Sequence, residues 1–356
     1  MLYIRADGNS IIGMGHIMRC MSIADAIVDI DKNNKPVFIT ACEEGCQMIT
    51  DRGFDVILTD TDYKEMETEL PRLEELLNKE DVILVDSYQV TKEYYKRLGE
   101  LCHVACLEDM GEPYPVELLI NYNIYAPKLA DCYCNNQNEA NVDNLPQNIL
   151  LGVQYMPLRK DFSIKAEYVI KDKVTNVLIT TGGSDPYFAS DAFCEAFLDN
   201  EILAEKNIIY HIVSGPFNKF KNDLIRKYGN NRSVVIHENV KDMKNLMLAS
   251  DVVVTATGST IYEVSALGVP MICFYFAENQ KQGAEALAEL TPVVNAGCFA
   301  AQKERVAEKI LNTLIKCTES KRYRELLSME EMKLVDGKGA TRLAEAILKC
   351  NKRHYE

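Results

Sequence analysis

The chain has 356 residues, 47% of them hydrophobic and 26% charged, with a formal net charge of -14. That length suits two domains, each with its own core. The acidic balance argues against wrapping nucleic acid or lying on an anionic membrane, although it leaves room for a local phosphate pocket.

The first predicted strand, "LYIRA", runs into "DGNSIIGMGH", which carries Gly8, Gly13, Gly15 and His16 ahead of the helical run "HIMRCMSIADAIV". The third glycine of a dinucleotide fingerprint is missing and no Gly-Lys-Ser/Thr follows, so neither that fingerprint nor a P-loop fits well. What remains is a helix amino terminus that an anion can reach, with an imidazole at its lip. Such a terminus favours the neutral ring, which can accept a proton near neutral pH, and His16 is read as a base rather than a polar first-turn residue. Strands follow at "PVFITA", "DVILTD", "VILVDS", "VACLE" and "LLINYN", with helices at "EGCQMITDRG", "EMETELPRLEELLNK" and "TKEYYKRLGEL" between them. This alternation makes βαβ units and a parallel sheet.

After about Pro146 the pattern pauses, and "LLGVQYMPLRKDF" with "SIKAEYVIKDK" reads as an interdomain passage. A second wound set then begins, with strands at "TNVLITTGG", "NIIYHIVSG", "SVVIHEN", "DVVVTATGS", "PMICFYF" and "TPVVNAG", followed by a helical tail. The chain is thus expected to be α/β, two Rossmann-like domains facing each other, with ligands outside the strand carboxyl ends. Three more glycine-bearing turns fall at those ends: "TTGGSDP" (Thr180 to Pro186), "VSGPFN" (Val213 to Asn218) and "TATGSTIYE" (Thr255 to Glu263). A lone "GG" is often only a tight turn and a lone "TGST" only a helix cap. Four such turns together read as a ligand site. Gly258, Ser259 and Thr260 at a helix start suit a diphosphate, and Glu263 one turn on can accept from two ribose hydroxyls.

Twelve cysteines do not make a disulfide framework here. The chain is long, opens without a charged-then-apolar signal segment, and holds its cysteines mostly in apolar runs. "CHVAC" (Cys102, His103, Cys106) reads as strand core, and "DCYC" (Cys132, Cys134) is too close-set for a zinc knuckle. His103, His211 and His237 lie in strand-like runs and read as packing residues, and His354 as part of the tail. The expected compartment is the reducing cytoplasm. No apolar run approaches the ~20 residues of a membrane span.

The opening block "IRADGNSIIGMGHIMRCMSIADAI" resembles that of the UDP-2,4-diacetamido-2,4,6-trideoxy-β-L-altropyranose hydrolases of pseudaminic acid synthesis, and of related spore-coat polysaccharide proteins. "LVDSY", "LEDM", "LLINYN", "GVQYMPLRKDF", "TTGGSDP", "HENVKDMKNLM", "TGSTIYE" and "DGKGATRL" extend the likeness over nearly the full length. The glycine turns are shared more widely among GT-B proteins, the peptidoglycan N-acetylglucosaminyltransferase included. The resemblance implies a GT-B fold, two parallel sheets facing an interdomain cleft, and hydrolysis of a UDP-sugar with no metal and no cofactor. It places the catalytic histidine on His16, an arginine on Arg159 and the ribose glutamate on Glu263. Many members have Asp-His-Tyr where this chain has Asp86-Ser87-Tyr88, and Ile-Asp-Asp where it has Leu107-Glu108-Asp109; these positions would face the sugar, which leaves its identity open.

The expected organisation is a Rossmann-like catalytic domain over 1–150, a linker over 151–172, a UDP-binding domain over 173–335, and a C-terminal helix over 336–356 that, by analogy with GT-B proteins, crosses back. Gly182, Gly183, Ser184, Gly215, Gly258, Ser259, Thr260 and Glu263 would hold UDP, with Val240 and Met243 of the "VKDM" segment near the uracil. Gly13, Gly15, Tyr88, Asp109 and Arg159 would meet the sugar. His16 would take a proton from the attacking water, with Asp7 or Asp86 orienting it; the sequence does not choose. The alternatives are a GT-B glycosyltransferase on the same donor, a nucleotide-sugar-binding protein without turnover, and a 2-epimerising hydrolase.

Overall fold

The structure is a computed structural model that describes residues 1–134, 145–163 and 168–350. The chain divides into two compact units: unit 1 is Met1–Lys160 with the stretch from Gly337 onward, and unit 2 is Asp161–Asp336.

Unit 1 alternates β1 (Leu2–Ala6), α1 (Gly15–Ile30), β2 (Val37–Thr40), α2 (Cys46–Asp51), β3 (Asp55–Leu58), α3 (Leu70–Leu76), β4 (Val82–Asp86), α4 (Lys92–Gly99), β5 (His103–Leu107), β6 (Leu118–Asn121), α5 (Ala130–Cys134) and β7 (Asn148–Leu151), and α6 (Lys160–Ser163) follows. The seven-stranded sheet is parallel, in the order β3-β2-β1-β4-β5-β6-β7. β1, β4 and β5 are buried at every residue, as apolar runs in a parallel sheet covered on both faces must be. The strand order reverses between β1 and β4, where Ala6 pairs with Asp86. At such a reversal the outgoing loops part to opposite faces and leave a crevice at the strand carboxyl ends.

The sequence does not predict β7; its first strand set ends at "LLINYN". β7 is a four-residue edge strand, half-buried throughout and, among the described residues, paired only with β6. Such a strand needs no long apolar run, so it leaves a weak imprint.

Unit 2 runs β8 (Asn176–Thr180), α7 (Ala189–Leu198), α8 (Glu201–Ala204), β9 (Ile209–Ser214), α9 (Lys221–Tyr228), β10 (Val234–Glu238), α10 (Met243–Ala249), β11 (Val252–Ala256), α11 (Thr260–Leu267), β12 (Met271–Tyr275), α12 (Glu278–Leu290), β13 (Val294–Cys298), α13 (Lys303–Glu319) and α14 (Lys321–Glu331). All six strands predicted for this half form, in a parallel sheet ordered β10-β9-β8-β11-β12-β13. Its reversal lies between β8 and β11, where Thr180 pairs with Thr255. The last helix, α15 (Gly339–Ile347), belongs to unit 1 and packs on α1. A Cβ on Gly339 would lie 2.1 Å from the Met156 carbonyl oxygen, so α15 starts in direct backbone contact with the turn after β7.

All twelve cysteines are free. Among the described residues no helix is long and apolar enough to cross a membrane, and no group of three or more His, Cys, Asp or Glu side chains could hold a metal ion. His354 and residues 164–167 of the passage read as interdomain lie outside the described residues.

Candidate active site

The reversal point of unit 1 gathers side chains from several strand ends. After β1, Asn9 folds the chain on itself: its Oδ1 accepts from the amides of Ile11 and Ile12 at 2.8 and 3.0 Å, and the Gly13 amide donates to the Asn9 carbonyl at 2.8 Å. Gly13 has a φ of +76°, the left-handed conformation that a side chain resists. A Cβ on Gly8 would come within 2.8 Å of Ile17 Cγ1, so the turn lies directly against α1. Gly15 is the first residue of α1, and His16 follows it, 7% exposed.

His16 Nδ1 lies 2.7 Å from Oδ1 of Asp86, the last residue of β4. Asp86 is 1% exposed. Burial by itself would raise its pKa, but the charge of Arg19, and then His16, holds the carboxyl well below the usual carboxylate range. An anionic Oδ1 accepts the Nδ1 proton and leaves Nε2 as the nitrogen with the lone pair. No described residue bonds Nε2. The Tyr88 ring stands edge-on to the imidazole, centroids 4.9 Å apart. Tyr88 is half-exposed, and its hydroxyl donates to Asp109 Oδ2 at 2.7 Å. Asp109 Oδ1 is buried with no donor among the described residues.

Arg19 completes the cluster. Its Nε donates to Asp86 Oδ2 at 2.5 Å and its Nη1 to the Tyr122 hydroxyl at 2.6 Å. Burial lifts the Tyr122 hydroxyl to about 12, against the pull of Arg19, so it stays protonated at neutral pH. Neither Arg19 nor Tyr122 is among the sequence candidates. A signal for Arg19 exists: three residues after His16 it falls on the same helix face. Tyr122 lies in the "LLINYN" block, but only the fold brings the end of β6 near α1.

Asp7, the other carboxylate considered for His16, turns away from it. It accepts from Thr40 Oγ1 at 3.0 Å and from the Ala41 amide at 2.8 Å, and pairs with Arg5 Nη1 at 2.7 Å. Arg5 Nε in turn reaches both oxygens of buried Glu69, at 2.8 and 2.9 Å. Asp7 therefore ties β1 to the end of β2 beneath the turn. Glu108 also turns inward: it accepts from the amides of Met110, Gly111 and Glu112 and from the Tyr133 hydroxyl, and burial raises its pKa. Arg159 lies partly buried beyond the turn after β7.

In unit 2 the turns after β8 and β11 leave neighbouring strands. Gly182 has a φ of +81° with nothing near its Cβ position, and Gly183 and Ser184 are exposed. Asp185 closes this turn by capping α7, accepting from the Ala189 and Ser190 amides at 2.7 and 3.0 Å. Gly215, after β9, has a different part. A Cβ there would lie 2.4 Å from the Gly182 carbonyl oxygen and 2.5 Å from that of Gly183, so only glycine lets the two turns touch. After β11, Gly258 and Ser259 are exposed, Ser259 makes no side-chain cap bond, and α11 begins at Thr260. Its amino terminus is open to an anion. Glu263 is buried in its first turn. Val240 and Met243 flank the turn into α10, which Asp242 caps by accepting from the Asn245 amide at 3.0 Å. The other described histidines bond within their sheets: His211 Nδ1 to His237 Nε2 at 2.9 Å, and His103 Nδ1 to Glu117 Oε1 at 3.1 Å.

Residues 176–352 match the family model described as the glycosyltransferase family 28 C-terminal domain. The chain is 25% identical over 354 residues to the uncharacterized protein MJ1062 of Methanocaldococcus jannaschii, a match that takes in 97% of this chain but only 65% of that protein's length. It is 22% identical over 344 residues to the spore coat polysaccharide biosynthesis protein SpsG of Bacillus subtilis, a distant homologue, with 96% of this chain and 95% of that protein matched. Among solved structures, MurG of Acinetobacter baumannii aligns with a TM-score of 0.63 at 12% identity, over 98% of this chain and 100% of that one. UDP-GlcNAc 2-epimerase from Neisseria meningitidis, bound to UDP-GlcNAc, aligns with a TM-score of 0.61 at 14% identity, again over 98% and 100%. The fold is GT-B, built of two parallel-sheet α/β units.

Proposed function

We propose that this chain hydrolyses a UDP-sugar to UDP and the free sugar, with inversion at the anomeric carbon. The observation that carries the reading is the His16–Asp86 pair: Nδ1 is held at 2.7 Å by a buried carboxylate, which leaves Nε2 as a base. A water oxygen attacks the anomeric carbon on the face opposite UDP, and Nε2 takes one of its protons. The bond from that carbon to the diphosphate oxygen breaks, its electron pair leaves with UDP, and the proton passes from His16 to solvent. An open helix terminus such as that of α11 stabilises the charge growing on the leaving diphosphate. The proposed UDP contacts are chiefly Gly182, Gly183, Ser259, Thr260 and Glu263. His16 is the base of this reading, and Tyr88 and Asp109 are its proposed sugar contacts.

The sugar we assign is a 2,4-diacetamido-2,4,6-trideoxyhexose, the β-L-altrose form, in cytoplasmic nonulosonic (pseudaminic) acid synthesis. The likeness of the opening block supports it, as does the distant homology to a polysaccharide biosynthesis protein. The UDP-GlcNAc held by a GT-B epimerase supports a UDP-sugar donor. A second reading, transfer of the sugar to a hydroxyl acceptor, is favoured by the family 28 match alone.

Proton NMR of the purified protein with UDP-2,4-diacetamido-2,4,6-trideoxy-β-L-altrose, EDTA present and no acceptor, tests the assignment. UDP and a free sugar, first seen as the opposite anomer, are expected. Binding without UDP release points to transfer, and neither binding nor release removes this substrate.

A further inference from the structure

Two basic side chains on one helix converge on a single buried carboxylate. His16 and Arg19 are three residues apart on α1 and so share a face. Both reach Asp86 Oδ1: His16 through Nδ1 at 2.7 Å and Arg19 through Nη2 at 2.5 Å, while Arg19 Nε takes Oδ2. The arginine is therefore bidentate, and its plane is fixed on the far side by the Tyr122 hydroxyl, with Cζ 5.6 Å from that ring's centroid. The other groups facing this cluster are Cys20 of α1, whose Sγ lies 3.5 Å from Asp86 Oδ2, Tyr88 from the loop after β4, and Asp109 from the loop after β5, 3.9 Å from Arg19 Nη1.

A carboxylate that is 1% exposed must be balanced by a neighbouring positive charge. If His16 were its only partner, the favoured state would be an imidazolium–carboxylate pair, and an imidazolium cannot act as a base. Arg19 carries a charge that cannot be given up at any working pH. It satisfies Asp86 without a proton on Nε2. It also offers Nη2, 3.0 Å from His16 Nδ1, as a second positive neighbour that opposes protonation of the ring. Asp86 is an anion with no hydrogen to give, so its 2.7 Å contact with His16 is a hydrogen bond only if Nδ1 carries the hydrogen; Arg19 Nη2, which has only donors, is then a charged neighbour of Nδ1 and not its hydrogen-bond partner.

We infer that Arg19 is the positioning residue that balances the charge of Asp86, so that His16 is held neutral as its Nδ1–H tautomer with the Nε2 lone pair free. The consequence for catalysis rests on His16 being the base of the proposed reaction; the protonation state itself does not.

The test is two-bond proton–nitrogen NMR on protein labelled with 15N-histidine, the His16 signals assigned by their loss in His16→Gln. The native protein is expected to show a neutral Nδ1–H ring at neutral pH. Arg19→Gln is expected to show the imidazolium pattern, with kcat down about 10²-fold or more at neutral pH, little change in KM, and partial recovery as the pH rises or guanidinium is added. Arg19→Lys keeps the charge and is expected to keep the neutral ring. Arg19→Gln with Asp86→Asn removes both charges and returns the ring to neutral, which a merely structural arginine does not predict. A native ring seen as Nε2–H or as imidazolium overturns the inference, even if Arg19→Gln fails to fold. So does a folded Arg19→Gln that keeps the neutral Nδ1–H signature. The NMR arms use no substrate, so the expected spectra without sugar release would sink the proposed hydrolysis and leave this inference standing.

Discussion

As the proposed base, His16 needs one nitrogen tied down and the other free; Asp86 Oδ1 ties down Nδ1, and the charge of Arg19 on the same carboxylate is what we infer keeps Nε2 free. His16→Ala should lower kcat by ~10²–10⁴, the usual contribution of a positioned base. UDP affinity, measured by calorimetry, should be unchanged; a collapse of UDP binding would sink the base role. Asp86→Asn should cost as much activity, because the amide no longer dictates the Nδ1–H tautomer. It should also cost stability in a way that depends on pH. The folded carboxyl titrates below its unfolded value, so its stabilisation is present above the unfolded value near ~4 and is lost as pH falls through the lower folded one. The Tm gap between Asp86→Asn and the native protein should therefore be wide at neutral pH and narrow on acidification. A gap that does not change with pH would contradict the charge pairing.

Among the elements, two glycines act through backbone contact rather than through flexibility. Gly215 sits against the carbonyl oxygens of Gly182 and Gly183. Ala at 215 must push the β8 turn aside, at a cost of about 1–3 kcal/mol as overpacking usually exacts. UDP affinity should fall with it; an unchanged affinity would separate that turn from nucleotide binding. Gly339 meets the Met156 backbone in the same way, so Gly339→Ala should loosen α15 from α1. Hydrogen exchange over 339–347 should quicken while the β1 and β4 amides stay protected. Both glycines lie in blocks quoted from the sequence, "VSGPFN" and "DGKGATRL", but their reason is visible only once the facing backbone is placed.

For the molecule as a whole, three of the four glycine turns follow strands at the point where strand order reverses, β1 in one unit and β8 and β11 in the other, and the fourth, after β9, lies against the β8 turn. UDP should raise the Tm in step with the apparent stabilisation of about 2.7 kcal/mol expected at a hundredfold excess over Kd. Glu331 is fully buried, accepts from the Met271 amide through Oε1, and has no partner at Oε2 among the described residues. Burial raises its pKa well above the ordinary value. Folding then retains a proton that the unfolded chain loses, so stability falls as pH rises beyond the unfolded value near ~4.3. Glu331→Gln should raise the Tm at pH 8 and change it little at pH 4; no gain at pH 8 would show that the carboxyl finds a partner.

Sequence alone determined the alternation that makes two parallel α/β sheets, because strands buried on both faces must be written as unbroken apolar runs. It also marked His16 and the four glycine turns, because a helix start after such a strand is local chemistry. It could not choose Asp86 over Asp7, since one ends and the other directly follows a central strand and only the packing of α1 and β2 decides which way each carboxylate turns. Nor did it reveal β7, too short and too exposed to need an apolar run, or set Arg19 and Tyr122 beside Asp86. Those three come from α1, β4 and the end of β6, and a contact between residues so far apart in the chain exists only when the sheet order brings their strand ends together.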